Sequence, residues 1–459
     1  MKYKQSLIKP MNFFKTQQFK ALYQQTWPML LGLFTIMGSQ LVDSAFIGQL
    51  GSQPLAVVGF SIPIYQLIIG VQVGLGIATT ASISSAIGSN RKLYAKYLGM
   101  LVLCIGVTTI TVLCVLLWYY QEGIAYSLGA EPSLFQLLRD YWFPWLLSCW
   151  LGAILYFGYS ICRSHGETLL PGKVMVITSL LNIILDPVFI FTLNMGLAGA
   201  AWATCISFII GCFIIFRAII QKPYIAMLYN VGRAKKGINT IVKFTIPAML
   251  SQFIPPVSAM LVTVIIASYG DIAVGAWGLA NRIEYISIIM ILALTMALPP
   301  MIGNLKGRNK IPEIFFLVKT AMKTIIVFQL AITLFILVIS KPVANLLSVN
   351  SQIESLLLHY LWIVPVSYGA LGICMVCVSA CNAMGLPKSA LVISLLRLFS
   401  CYLPLIWVGS EVYGLLGIFI GATIGNFLSG MLGWSIFLQQ YKKISKSQPD
   451  VKLLSIIKG

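Results

Sequence analysis

The stretch LVDSAFIGQL, residues 41–50, closes an apolar run that begins at Trp27, with no charged residue between Lys20 and Asp43. A run of that length is enough for a helix to cross a bilayer, which takes about 20 residues. A carboxylate placed in hydrocarbon is costly, and such groups usually face a cavity or an ion path. The reading of Asp43 therefore turns on how much of the chain is membrane-embedded.

The whole chain answers to the same solvent. Of its 459 residues 59% are hydrophobic and only 9% charged, against roughly 25% charged in soluble domains. Apolar stretches near 25–48, 55–80, 97–119, 140–162, 169–192 and 197–220 predict six spans. A second set follows near 240–268, 273–303, 318–339, 360–383, 390–408 and 414–438. The first twenty residues are polar and basic, without the apolar core of a cleavable signal peptide. The net charge of +19 could suggest nucleic acid, but its placement does not. Of the 31 Lys and Arg residues, all but Arg139, Lys341, Arg282 and Arg397 fall on one side of the predicted spans. That asymmetry predicts both termini on the cytoplasmic side and contacts with anionic lipid. No nucleic-acid partner is needed to explain it.

An offset of 219 residues lays one half of the chain on the other. Pro28 meets Pro247, Leu50-Gly51 meets Tyr269-Gly270, Gly59 meets Gly278 and Gly88-Ser89-Asn90-Arg91 meets Gly307-Arg308-Asn309-Lys310. Tyr141 meets Tyr360 and Cys162 meets Cys381; after a three-residue gap Pro171 meets Pro387, and later Gly196 meets Gly414. An even number of spans per copy makes the repeats parallel, related by an axis along the membrane normal, with a cavity expected between them. The expected fold is an all-α polytopic membrane protein, with twelve transmembrane helices in two six-helix bundles related by a pseudo-twofold axis. The expected units are a cytoplasmic segment 1–22, bundles 23–221 and 240–439, a basic link 222–239 containing Arg233 and Lys236, and a tail 440–459.

Several chemistries are disfavoured. The ten cysteines lie mostly inside spans, and Cys374, Cys377 and Cys381 share a helix face with no histidine to complete a metal site. Gly70, Gly74 and Gly76 have no preceding strand and no Walker lysine, so their spacing reads as helix packing. We expect no cofactor and no enzyme: an intramembrane aspartyl enzyme is disfavoured because no Gly-x-Gly-Asp sequence stands near either interior aspartate.

Of the twelve acidic residues, only Asp43, Asp186 and Glu284 lie within apolar sequence. Asp43 is fifteen residues past Pro28, and Asp186 is fifteen past Pro171, on spans that run in the same direction. The two carboxylates should thus lie at similar depth. Asn182 precedes Asp186 by one helical turn, and Thr204 and Tyr141 can reach a comparable level. Pro187 lacks an N–H and frees the carbonyl of Ile183. Together these groups suit a proton or a hard cation such as Na⁺ held by Asp43, Asn182, Asp186 and Thr204, and two neighbouring carboxyl groups would titrate as a coupled pair. Span one can hinge at Pro28, Gly32 or Gly38, and span five at Pro187. Gln40, Arg282 and Glu284 are candidates for the substrate cavity. The repeat partners of Asp43, Asn182 and Asp186 are Val262, Leu398 and Tyr402, which predicts coupling confined to the first bundle.

On these residues the chain resembles the multidrug and toxic compound extrusion (MATE) transporters over nearly its whole length. Trp27-Pro28, Leu41-Val42-Asp43, Asn182-Ile183-Ile184-Leu185-Asp186-Pro187 and Gly196-Leu197-Ala198-Gly199-Ala200-Ala201 carry the likeness. Resemblance implies a monomeric multi-pass protein of the prokaryotic inner membrane, expelling amphipathic, often cationic drugs in exchange for H⁺ or Na⁺. It is similar to the DinF-like branch in keeping its interior aspartates in the first bundle. The alternative within related architectures is a lipid-linked oligosaccharide flippase, for whose pyrophosphate the span interiors offer only Arg282 and Arg397.

Overall fold

The computed structural model describes residues 17–226, 231–348 and 350–446. Residues 1–16, 447–459 and the side chains of Arg233 and Lys236 in the link lie outside the described residues. Twelve spans follow one another. The first six are Gln17–Gln49, Ser52–Gly88, Lys92–Tyr119, Phe135–Ser164, Leu169–Thr192 and Gly196–Gln221. The seventh is Val231–Ala267, and the eighth is made of Asp271–Ser287 and Ile289–Gly307. The ninth and tenth are Ile311–Leu347 and Ser351–Ala383. The last two occupy 387–413 and 415–446, reversing at Gly414, whose φ of 60° suits a residue without a Cβ. The structure is an all-α polytopic fold of two six-helix bundles.

The repeat is written in the backbone as well as the sequence. Left-handed residues recur in pairs: Gly51 and Gly270 at φ 110° and 94°, Asn90 and Asn309 at 59° and 57°. Gly166 and Gly385 stand at 82° and 74°, and Gly196 and Gly414 at 53° and 60°. Each bundle supplies most of one apolar core cluster, the first including Trp142, Phe157 and Cys162, the second Tyr360, Tyr368 and Cys381. Hence the same turns deliver six amphipathic or apolar helices to each core.

The bundles meet along spans two and seven and spans one and eight, and spans two and eight cross near the ends that carry the basic loops. A Cβ on Gly307 would stand 2.7 Å from the Ser89 nitrogen, and one on Gly88 would stand 2.9 Å from the Asn304 carbonyl carbon. Gly88 and Gly307 are repeat partners, so the crossing lies on the pseudo-twofold axis. Only small residues permit backbones this close. The loop after span four is tied down on the same side. Gln25 Nε2 donates to the Gly166 carbonyl at 2.9 Å, Glu167 pairs with Lys222, and His165 stacks on Tyr224 with centroids 3.9 Å apart.

Span eight departs from the sequence expectation of one helix. It breaks at Ile288, and the carbonyl of Ser287 accepts a 3.0 Å hydrogen bond from Gln329 Nε2 on span nine. No glycine or proline marks the spot in Glu284–Ile291. The signal sits on another span, beyond the reach of local pattern.

Candidate functional site

Asp186 closes the regular part of span five, Leu169–Pro187, beyond which Val188–Thr192 continues as a wider π-helical turn. Pro187 explains the change: without an N–H it cannot continue the regular bonding, and such wide turns recur at functional sites. The Asp186 side chain is fully buried, and Asn182 Nδ2 donates to its Oδ1 at 2.9 Å. The same amide lies 3.2 Å from Thr204 Oγ1 on span six, and that hydroxyl donates to the Ala200 carbonyl at 3.0 Å. Three of the five residues expected at the site therefore form one chain of hydrogen bonds.

Asp43 is half-buried on span one and lies within electrostatic range of Asp186. Tyr141, buried at the start of span four and stacked on Trp145 at 6.0 Å, is within range of Asp43 as well. All five predicted residues thus gather in the first bundle. One oxygen of each carboxyl group is buried without a hydrogen-bond partner: Asp43 Oδ1 and Asp186 Oδ2. Buried carboxylate oxygens in native proteins are normally paired, so two such oxygens on electrostatically coupled acids are acceptors suited to a proton or a small hard cation. Asn182 and Thr204 supply amide and hydroxyl oxygens of the same hard type.

The hinge candidates behave differently from one another. Span one runs unbroken from Gln17 to Gln49 despite Pro28. Pro28 and Gly32 are buried against span five: a Cβ on Gly172 would lie 2.7 Å from the Pro28 carbonyl carbon, and one on Gly32 2.7 Å from Met175 Sδ. A Cβ on Gly38 would meet nothing within 4 Å, so Gly38 alone has room around it.

Of the three cavity candidates, Gln40 and Arg282 are exposed, while Glu284 is drawn into a second polar cluster. Tyr360 Oη donates to Glu284 Oε2 at 2.6 Å and lies 3.2 Å from Tyr368 Oη. Arg397 and Tyr402 are within electrostatic range of the same carboxylate. These tyrosines were not anticipated as site residues. The repeat held the clue, since Tyr360 is the partner of Tyr141, Glu284 of Tyr65 and Tyr402 of Asp186. The second bundle therefore does hold a half-buried acid at the corresponding place, supplied by span eight instead of span seven.

The MatE family model matches residues 28–188 and again 247–408, once on each half of the repeat. The chain belongs to the MatE family. This MATE transporter is 46% identical to VcmN of Vibrio cholerae, whose crystal structure in the bent form it matches with a TM-score of 0.90, over 93% of this chain and 97% of that one. A FAD transporter of Shewanella oneidensis is 29% identical across 90% of this chain and 92% of its own length. The multidrug export protein MepA of Staphylococcus saprophyticus is 23% identical across 88% and 90%. MATE membership and the twelve spans make the chain a multi-pass membrane transporter of small molecules.

Proposed function

We propose that this MATE transporter is a secondary antiporter that expels amphipathic, often cationic compounds in exchange for H⁺ or Na⁺ entering at Asp43 and Asp186. The observation that carries the reading is the pair of buried, unpartnered carboxylate oxygens on Asp43 and Asp186, two electrostatically coupled acids of the first bundle. The side bearing the basic loops is taken as cytoplasmic, in a prokaryotic inner membrane. Boundaries at 23–221 and 240–439 then separate the two moving bodies, joined by 222–239. The protein works as a monomer, in keeping with the DinF-like arrangement of one coupling site in the N-terminal bundle.

A cation arriving from outside binds between the two carboxylates and removes their mutual repulsion. Span one then shifts toward span five at Gly38, where the helix has free space, and the cavity of the first bundle shrinks. Drug and coupling ion compete for the same negative charge, so each loads the transporter only when the other leaves. MepA, a multidrug export protein, supports this substrate class by likeness. Export of a cationic dye from cells carrying Asp43→Asn tests it: efflux at the wild-type rate, with normal expression, would overturn the reading.

A second reading concerns an anionic dinucleotide, because one relative is a FAD transporter. Its supporting observation is Arg397, whose Nε is buried without a partner in the second bundle. A pyrophosphate would pair with that guanidinium. Loss of flavin export, but not of dye export, in Arg397→Met would favour it.

A further inference from the structure

The second bundle contains a cavity that the coupling chemistry does not use. It lies among spans nine, ten and twelve, has a volume of about 400 Å³, and is walled by Met322, Phe427, Met431 and Trp434. Volumes of this order hold drug-sized molecules. Exposed faces of Val366 and Met431 open it sideways, toward the region that lipid covers. Gln329 lines it at the midpoint of span nine, eighteen residues from either end.

Comparison with the other half shows why the space exists. Gly369 on span ten is the repeat partner of Trp150 on span four. In the first bundle the Trp150 indole reaches across to span three, and its Nε1 donates to Thr111 Oγ1 at 2.8 Å. In the second bundle that bulk is missing, and a Cβ on Gly369 would meet nothing within 4 Å. Gly430, also in the wall, is different: its Cβ would press within 2.7 Å of the Ala370 carbonyl oxygen, so it serves close packing of spans ten and twelve. Gly369 is the residue that leaves the space open.

The polar content of the cavity is one-sided. Gln329 is 1% exposed, and its Nε2 is committed to the Ser287 carbonyl at the break in span eight. Its Oε1 is buried without a partner. An acyl chain passing over the cavity has no hydrogen-bond donor and leaves that oxygen unpaired, at a cost typical of a buried orphan acceptor. A ligand with an apolar body and a single O–H or N–H pairs it. Two methionines in the wall adapt to varied shapes.

We propose that this cavity is a lateral binding site for membrane-partitioned small molecules with an apolar, ring-sized body and one hydrogen-bond donor, held by Gln329 Oε1. It lies in the opposite bundle from Asp43 and Asp186, so it stands or falls separately from the coupling mechanism. Photolabelling of the full-length protein in phosphatidylcholine nanodiscs, with a diazirine-bearing alkyl phenol as probe, tests it. Adducts are expected within 322–333, 366–373 and 427–434. Unlabelled alkyl phenol should displace them about tenfold better than its methyl ether, the ratio one hydrogen bond supplies. Gly369→Trp, which installs the bulk of the other bundle, should remove the adducts while Gln329 and its Ser287 bond stay intact. Equal competition by the ether, adducts spread around the lipid-facing belt, or unchanged labelling of Gly369→Trp would each overturn the proposal.

Discussion

The two bundles hold acids at corresponding places and treat them differently. In the second bundle, Glu284 accepts a 2.6 Å bond from Tyr360, with Arg397 in electrostatic range. In the first, Asp186 receives one bond from Asn182 and keeps an orphan oxygen, and Asp43 keeps another. A carboxylate satisfied by protein donors stabilises its own fold, whereas one left short of donors is poised to take up a cation from outside. Under the proposed function, the duplicated scaffold would carry a structural acid in one half and a loading acid in the other.

The largest expected effect falls on the first bundle. Asp186→Asn should lower gradient-driven dye efflux by at least about tenfold with normal expression, consistent with the default reading of intramembrane acids as ion-path groups; near-normal efflux would erase the contrast between the halves. Asn182→Leu should cost less, a several-fold loss, because it removes the amide that orients Asp186 toward Thr204 and leaves both carboxylates in place. Tyr360→Phe probes the other side. It should destabilise the protein by about 1–3 kcal/mol, the cost of leaving a buried acceptor unpaired, and leave the dependence of transport on the imposed gradient unchanged. A Tyr360→Phe protein of normal thermal stability but altered ion dependence would reverse the assignment of roles.

The smallest effect concerns the loops. His165, whose repeat partner is Met384, stacks on Tyr224, and burial pushes its imidazole below the usual histidine value, against the smaller opposing pull of the Ile161 carbonyl and Glu167. A group depressed in the folded state contributes stability above its unfolded value of about 6.5 and loses it as pH falls through the folded value. Thermal stability should therefore decline on acidification below about pH 6.5, and His165→Met should flatten that decline. An unchanged slope in the variant would assign the decline to other groups.

Much of this was legible in the chain itself, for physical reasons. Hydrocarbon-length apolar runs and one-sided basic loops are dictated by the bilayer, so the twelve spans could be read directly. Asp43, Asp186 and Asn182 were visible because acids in apolar sequence are rare and because helical rise converts residue counts into depth. What stayed hidden depends on contacts between spans. The break at Ile288 answers to Gln329, and the space beside Gly369 answers to a tryptophan absent from the second half. Tyr360 and Tyr368 are unremarkable aromatics until the fold places their hydroxyls beside Glu284. The packing of Pro28 and Gly32 against span five, and the open space at Gly38, likewise depend on neighbouring spans.

The central claim is that coupling belongs to the unpartnered acids of the first bundle alone. Purified protein in liposomes, loaded with a cationic dye and given a pH gradient or a Na⁺ gradient separately, tests it in one experiment with the wild type, Asp43→Asn and Glu284→Gln. The account predicts that one of the two gradients drives dye flux in the wild type and in Glu284→Gln, and that neither does so in Asp43→Asn. Flux that survives in Asp43→Asn and vanishes in a well-folded Glu284→Gln would contradict it.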